Sequence, residues 1–570
     1  MKYEDIPYRR PDLKAASATL EDIARQMSDA MTAHERLAVL SVYEAYLSHL
    51  TTRLALTQLR YYLDTGNKEH AADMAYLTEN APHLDMATNK ITAALLDATD
   101  RDDLEKELGS FFFDQAAAHR KTTSARNESL QIEEQVLVQR YTAIVARANV
   151  HFEEKTHTLT EMTRFFSDPS RPIRRSAMRA VNGWYEDHAE DLNDIFDRLV
   201  KNRAQQAKNL GFDSYTDLRY ATRYGYGRKE IETFRANIQK TWVPLVSAIK
   251  ERQRKRLGLE TFRMYDSPVR FPDGNPKLKV KRRAFVDMAQ RMFEKLNPDM
   301  GSYFKSLDEN GMLDLFDRDG KATYAGFCLW LPDYRTNYIC ARFTGDQSDF
   351  EILTHEFGHA YASHRAQDAG VRFTQLDAPQ EIMETHSKAM ELFTMACADM
   401  FFDERDAQRY QVKQLEYIPY FVTSICQGDA FQHEIYDNPE FSARKRNEAF
   451  ARIYQTYNPY LDESDLPFTS WGSQWQDTLV IYSMPFYYID YALAQVLALA
   501  LYRESLTDFD AAWARYLTFM DAAGTLPLPA LAKKCGLPDP FDEKTLIDLA
   551  QFLSDELSRL EDSSKATRQA

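Results

Sequence analysis

The 570-residue chain lacks the marks of several protein classes. No uninterrupted apolar run approaches the roughly 18 residues that indicate a membrane-spanning helix. The charged opening segment MKYEDIPYRRPD has no apolar core, so we expect no secretory signal. Glycine and proline are modest, at 19 and 21 residues, which excludes a collagen-like or low-complexity chain. The sequence therefore predicts a folded protein without a membrane partner.

Cysteine is also scarce, with five residues and no CxxC pair. The odd number and wide scatter argue against a disulfide framework and against a cysteine-based zinc ribbon. Disulfides are rare in proteins of reducing compartments. We therefore expect a cytoplasmic location.

Basic residues are fewer than acidic ones: 70 basic and 86 acidic side chains give a net charge of −16. An acidic protein repels a phosphate backbone, and no basic stripe offsets this repulsion. Nucleic acid is therefore not an expected partner. Aromatic residues are plentiful, with 32 Tyr and 33 Phe. Most aromatic side chains fill cores, but tyrosine can also line a wet cavity with its hydroxyl group.

Helical periodicity dominates the chain. In the first 120 or so residues, apolar side chains recur at steps of three and four, as at Leu40, Tyr43, Leu47, Leu50 and Leu54. The segment from Ala148 to Leu159 is more β-branched and predicts a small hairpin. Residues 323–344 predict two short strands joined by a loop, while prolines between residues 257 and 279 exclude a long helix there. The predicted fold is mainly α, with a small strand insert.

The segment Thr354–Ala360, with the sequence THEFGHA, has the strongest chemical pattern. On a helix, His355 and His359 project from one face and can grip one Zn²⁺ ion. Glu356, one step round the helix, can then reach a water molecule at the metal. The motif alone is short enough to arise by chance among helix surface charges. A third metal ligand is needed to distinguish a zinc site from a chance match.

A second helical stretch, with the sequence METHSKAME, offers that ligand. Glu384 lies 25 residues after His359, and a carboxylate returning on an adjacent helix would complete a His₂Glu site. Such a site keeps one position open and is hydrolytic rather than structural. Glu391 is two turns further along the same face and could orient a ligand. Glu381 and His386 compete for the third position, and spacing alone does not choose among them.

The paired motifs HEFGHA and METHSKAME resemble the signature of the thimet oligopeptidase and oligoendopeptidase F family of zinc metallopeptidases. The resemblance spans about residues 160 to 505 and is strongest for the oligoendopeptidase F and Pz-peptidase branch. Further similar segments are Asp168 to Arg175, Arg203 to Phe212, Asp429 to Tyr436 and Pro485 to Ala492.

The resemblance implies that His355, His359 and Glu384 bind one zinc ion per chain and that Glu356 is the general base. It also implies a fold with two largely helical halves around a deep channel and a small β-sheet near the active site. We expect residues 1–200 to form an N-terminal helical domain that supplies one channel wall. Residues 201–570 would form the catalytic region. For Glu391, support of a zinc ligand competes with an ordinary hydrogen bond between helices.

Tyr488 and Tyr491 are predicted to lie one helical turn apart on one face. They are similar to the family's substrate-side tyrosines, which implies that they donate hydrogen bonds to the oxyanion. The competing interpretation is that both are core aromatics in an aromatic-rich helix. The chain departs from the family at Val480, where relatives usually carry a histidine. One expected hydrogen-bond donor is therefore absent.

The two predicted strands suggest how a substrate is held, because an extended peptide can pair with the edge of a sheet. Gly326, Phe327 and Gly345 are the candidate substrate-binding residues, although ordinary sheet turns would explain them equally well.

The motifs predict a zinc-dependent hydrolase, and the resemblance implies an endopeptidase that acts on short oligopeptides. Two alternatives remain open at this point. One is a zinc carboxypeptidase acting on peptide C-termini, and the other is a peptide-binding protein with reduced turnover.

Overall fold

The computed structural model describes residues 1–322 and 326–569 and is mainly helical. The described helices are α1 (Leu13–Asp29), α2 (Ala33–Leu63), α3 (Lys68–Asn80), α4 (Pro82–Leu96), α5 (Arg101–Leu108), α6 (Ser110–Thr122), α7 (Glu128–Ala146), α8 (Leu159–Phe166), α9 (Arg171–Asp187), α10 (Ala189–Asn209), α11 (Tyr215–Tyr220), α12 (Arg228–Arg256), α13 (Arg283–Leu296), α14 (Pro298–Glu309), α15 (Ser348–Asp368), α16 (Gln380–Thr394), α17 (Ala398–Phe401), α18 (Glu404–Asp437), α19 (Ala443–Tyr457), α20 (Pro467–Ser470), α21 (Leu479–Ser483), α22 (Ile489–Ser505), α23 (Phe509–Asp521), α24 (Leu528–Lys534) and α25 (Glu543–Gln569).

The described strands form two small sheets. Strands β1 (Val150–Phe152) and β2 (Lys155–His157) make an antiparallel hairpin. Strands β3 (Leu313–Phe316), β4 (Gly326–Leu331) and β5 (Thr336–Phe343) make a sheet in the order β3-β5-β4. In that sheet β5 is central, parallel to β3 and antiparallel to β4. Strand β4 therefore lies at an edge.

The chain folds into two compact units, each assembled from separate stretches of sequence. The first unit comprises Met1–Arg120, Lys277–Ala407 and Leu497–Asp539. Its N-terminal helices bury a common apolar cluster that includes Leu20, Leu40, Ile91 and Leu104. In the same unit α15 packs against β4 and β5 and against α16 and α23. Helix α15, which carries the HEFGH motif, is thus held by a sheet and by helices.

The second unit comprises Lys121–Pro276, Gln408–Val496 and Pro540–Ala570. Long helices dominate it, with α10 packed against α7 and α12 packed against α25. Arg203 on α10 is fully buried, and its guanidinium pairs with Glu134 and donates to the Tyr436 hydroxyl at 2.7 Å. A buried cation is tolerated because a carboxylate and hydrogen-bond acceptors surround it.

The predicted mainly α fold and the hairpin between Ala148 and Leu159 are confirmed. No α-helix lies between Arg256 and Arg283 in this described part of the chain, as the prolines predicted. The prediction of two strands over residues 323–344 is incomplete, because β4 and β5 belong to a sheet with a third strand, β3. Residues 323–325 of that prediction lie outside the described residues. The division of the chain at residue 200 stays a prediction. Among the described helices, none combines the length and apolar character needed to cross a membrane.

Candidate metal centre

The two histidines of the HEFGH motif lie on α15 as their spacing predicts. Their rings face one another edge-on, with centroids 4.9 Å apart. Glu384 reaches them from α16, and the three side chains offer ligand atoms that all lie within 4.8 Å of one another. Glu384 is buried, while both histidines are half-buried. The first unit thus brings together three groups that the sequence places on two separate helices.

The distances in this group fit a single small cation. Glu384 Oε2 lies 3.4 Å from His355 Nε2 and 3.8 Å from His359 Nε2. Zinc bonds of about 2.0–2.1 Å in a tetrahedron would place its ligands roughly 3.3 Å apart. Two imidazole nitrogens and one carboxylate oxygen are also the ligand set of hydrolytic zinc sites. The residues present therefore fit a zinc ion with an open fourth position.

Neither competing ligand belongs to this group in the described part of the chain. Glu381 is buried on α16. His386 is buried with its ring edge-on to Phe519, at a centroid distance of 5.6 Å. The tertiary structure thus groups Glu384 with the histidines, a choice that spacing left open.

Gly358, between the two histidines, allows α16 to approach α15 closely. A Cβ atom at this position would lie 2.7 Å from Ser387 Cα and 3.1 Å from the His386 carbonyl oxygen. The first of these distances is closer than real Cβ contacts, and the neighbouring atom belongs to the main chain, which cannot move aside. Sequence reasoning did not identify Gly358. The glycine inside the HEFGH motif was the available signal.

Glu391 lies beside His355 and forms a hydrogen bond with Nδ1, the ring nitrogen that does not face Glu384. His355 Nδ1 donates to Glu391 Oε1 at 2.6 Å, and Lys388 Nζ donates to the same oxygen at 2.9 Å. This arrangement leaves His355 Nε2 facing Glu384, as a ligand nitrogen must. Sequence reasoning missed Lys388, although its position three residues before Glu391 on a helix was a usable signal.

The charges around this pair set its protonation. Burial acts to raise the pKa of Glu391, but Lys388 and His355 outweigh it and lower that pKa to about 2. Burial acts to lower the pKa of His355, but the hydrogen bond to Glu391 raises it above its ordinary value. For His359, burial and the neighbouring His355 lower the pKa to about 4. His359 is therefore neutral at physiological pH, the form that binds a metal.

Glu356 is buried one residue after His355. Burial raises the pKa of this carboxyl group to about 7, despite the opposing effect of His355. A dication held by the three neighbouring side chains would act in the opposite direction, because it stabilises the carboxylate. Burial and a bound dication therefore act on the pKa of Glu356 in opposite directions.

Two of the predicted substrate-binding residues, Gly326 and Phe327, lie on β4, and the third, Gly345, lies just before α15. The Gly326 backbone, on edge strand β4, packs so tightly on α15 that a Cβ atom would lie 3.2 Å from Glu356 Oε1. Phe327 meets the ring of Tyr62 edge-on, at a centroid distance of 5.1 Å. Gly345 has a φ of +94° and donates its N–H to Asp349 Oδ2 at 2.8 Å, in the turn that begins α15. A role of these residues in holding substrate stays a prediction.

Tyr488 and Tyr491 belong to the second unit. Tyr488 lies in the turn immediately before α22, which begins at Ile489, and its carbonyl oxygen accepts a hydrogen bond from the Tyr491 N–H at 3.1 Å. That the two side chains share one face stays a prediction. Their rings meet edge-on at 6.1 Å, and Tyr488 is 38% exposed, which argues against a core role for Tyr488. Val480 is half-buried on α21.

Comparisons with known proteins cover most of the chain and agree with one another. The model of peptidase family M3 matches residues 164–550, and that of the peptidase M3 N-terminal domain matches residues 3–123. The structure of Pz peptidase A with an inhibitor is 29% identical, with a TM-score of 0.91 over 98% of this chain and 99% of that chain. A protein provisionally named oligoendopeptidase F shows the same values. A Bacillus anthracis protein with that provisional name is 27% identical, with a TM-score of 0.88 over 99% of both chains. No curated protein sequence matches the chain.

Proposed function

This chain belongs to peptidase family M3, and from that premise we propose that it is a zinc-dependent endopeptidase that cleaves internal bonds of short oligopeptides. It is an enzyme, a metallopeptidase of the oligopeptidase type. The observation that carries the finer proposal is the group of His355, His359 and Glu384 with buried Glu356 beside it.

One zinc ion per chain would be held by His355 Nε2, His359 Nε2 and a carboxylate oxygen of Glu384. Bound there, zinc would serve as a Lewis acid that polarises a carbonyl group and makes water nucleophilic near neutral pH. Glu391 would keep the His355 ring in the orientation and tautomer that binding requires, through its contact with Nδ1.

Glu356 would act as the general base. It would take a proton from the water molecule that attacks the scissile carbonyl carbon and deliver that proton to the leaving amine. The buried position of Glu356, next to His355 on α15, supports this role, because a carboxylate there can reach a water molecule at the metal. Tyr488 and Tyr491 would donate hydrogen bonds to the carbonyl oxygen as negative charge develops on it. That assignment rests on the resemblance of Pro485 to Ala492 and on the exposure of Tyr488.

The edge strand and the family support the proposed substrate class. An extended peptide can pair with the edge of β4 through its main chain, which tolerates many sequences. Gly326 and Phe327 would contact such a peptide on β4, and Gly345 would contact it at the start of α15. The names of the Pz peptidase and oligoendopeptidase F relatives agree with peptide cleavage. We place the reaction in the cytoplasm, since all five cysteines are free thiols.

Replacement of the general base tests this proposal. The zinc-loaded protein should cleave an internally quenched oligopeptide at an internal bond, and Glu356→Gln should lower kcat by at least about 10²–10⁴-fold. Glu351→Gln, on the same helix, serves as the control and should keep parental kcat and zinc content. Equal kcat for Glu356→Gln and the parent would refute the mechanism.

A peptide amide distinguishes the endopeptidase from a carboxypeptidase. An endopeptidase cleaves a peptide and its C-terminal amide at similar rates, because it does not read the terminal carboxylate. Loss of cleavage on the amide alone would favour the carboxypeptidase. Tight binding of both peptides without any cleavage would favour a peptide-binding protein.

A further inference from the structure

The turn that presents Tyr488 contains a strained residue. Phe486 has a φ of +66°, in the left-handed region that bulky side chains rarely adopt. Its ring is buried and packs against His433 and Tyr436, at centroid distances of 5.2 and 5.6 Å. A buried ring cannot leave its pocket to relax the backbone. The strain at Phe486 therefore persists because the surrounding structure imposes it.

Side chains hold both polar backbone groups of this residue. The Phe486 N–H donates to Gln432 Oε1 at 2.8 Å, from helix α18. The Phe486 carbonyl oxygen accepts from Arg223 Nη2 at 2.7 Å. Helix and sheet bonds normally satisfy such groups, and here the side chains of buried Gln432 and partly buried Arg223 replace them.

Arg223 has a second partner across the same turn. Its Nη1 forms a partly buried ion pair with Asp490, the second residue of α22. One guanidinium thus joins the backbone at residue 486 to the side chain at residue 490. Tyr487 and Tyr488 lie between these two points. The planar guanidinium fixes both ends at once, because its nitrogens diverge at a set angle.

We propose that Arg223, with Gln432 and Asp490, is a positioning residue that holds the strained Phe486 turn so that Tyr488 is presented to the substrate. This inference rests on the role of Tyr488 in the proposed function. Arg223 acts through the turn and makes no contact with the reacting atoms. Strain maintained by buried polar contacts is typical of segments whose geometry matters for function.

Arg223→Lys tests the inference. Lysine keeps the charge for Asp490 but cannot also reach the Phe486 carbonyl in the same fixed geometry. We expect kcat to fall about 10- to 100-fold, as for a misplaced catalytic group, with KM changed by less than about twofold. The control is Arg228→Lys, which keeps a nearby ion pair with Asp437 and should retain parental kcat.

A double-mutant cycle separates positioning from general structural support. If Arg223 acts through Tyr488, then Arg223→Lys should change kcat by less than about twofold in the Tyr488→Phe background. If Arg223→Lys does not fold, Asp490→Asn breaks the same ion pair and takes its place in the cycle.

Three outcomes would overturn the inference. Unchanged kcat in Arg223→Lys, or an equal loss in both backgrounds, would overturn it alone. Parental kcat in Tyr488→Phe would overturn the tyrosine assignment together with the inference. The response of Glu356→Gln remains a separate measure of the proposed hydrolytic mechanism.

Discussion

The metal centre and the tyrosine turn reach their geometry by different routes. The metal centre uses regular helices, in which a spacing of four residues already brings His355 and His359 to one face of α15. The tyrosine turn, residues 485–488, is an irregular segment in which hydrogen bonds from the side chains of Arg223 and Gln432 hold Phe486 at a φ of +66°. The metal centre therefore depends on helix contact distance, and the turn depends on a few polar contacts.

This difference predicts different kinds of sensitivity. A regular helix is cooperative, so a substitution on it acts chiefly through the group removed or through overpacking. A strained turn can relax when one contact is lost, since its favoured conformation lies elsewhere. Four substitutions compare the two regions, from the largest expected effect to the smallest.

Glu384→Ala should have the largest effect, because it removes the ligand that completes the site. We expect zinc binding to become undetectable at micromolar metal and peptide cleavage to fall to the level of the zinc-free protein. Metal content by elemental analysis and cleavage of a quenched peptide measure both effects. Glu381→Ala, on the same helix, is the control. Loss of zinc from Glu381→Ala, with zinc retained by Glu384→Ala, would reverse the assignment of the third ligand.

Tyr488→Phe should lower kcat by about 10²–10³-fold, the usual result of removing one oxyanion donor. KM and zinc content should stay close to parental values, because the aromatic ring remains in place. Tyr417→Phe, at another exposed tyrosine of the second unit, is the control. A change confined to KM would show that Tyr488 binds substrate without stabilising the transition state.

Glu391→Gln should weaken zinc binding by about 10- to 100-fold, as for other groups that orient a metal ligand. Glutamine keeps the size of the side chain but loses the charge that His355 Nδ1 and Lys388 both contact. Competition with a zinc chelator measures the affinity. Unaltered zinc affinity would mean that Glu391 makes only an ordinary hydrogen bond between helices.

Gly358→Ala should have the smallest effect, a change in the free energy of unfolding. The sign of that change shows whether the close contact between α15 and α16 is strict. Alanine in a helix usually stabilises by about 1 kcal/mol over glycine, as we expect for Gly183→Ala on α9, where nothing lies near the new Cβ. At Gly358 the clash with Ser387 Cα should reverse the sign and destabilise by about 1–3 kcal/mol. Denaturant unfolding followed by circular dichroism compares the two variants. If both Gly358→Ala and Gly183→Ala stabilised the protein, α15 and α16 would have moved apart without loss of stability, contrary to this prediction.

The sequence predicted much of the fold because helical periodicity is a strong local signal. It missed β3, whose four residues are too short to be distinguished from a loop by pattern. It also did not indicate that each compact unit combines stretches from distant parts of the chain. Contacts between such stretches depend on packing that no local pattern records.

The chain by itself determined the helical fold, the histidine pair and the adjacent glutamate, since a helix turns a spacing of four residues into a shared face. Spacing left Glu384, Glu381 and His386 open as the third ligand, and the resemblance implied Glu384. The tertiary structure brings Glu384 to the histidines and shows that Gly358 admits the second helix. It also decided the turn at Phe486, because Arg223 and Gln432 are far from that turn in sequence. Contacts between residues distant in sequence are set by packing of whole elements, and so they emerge only when the elements are assembled.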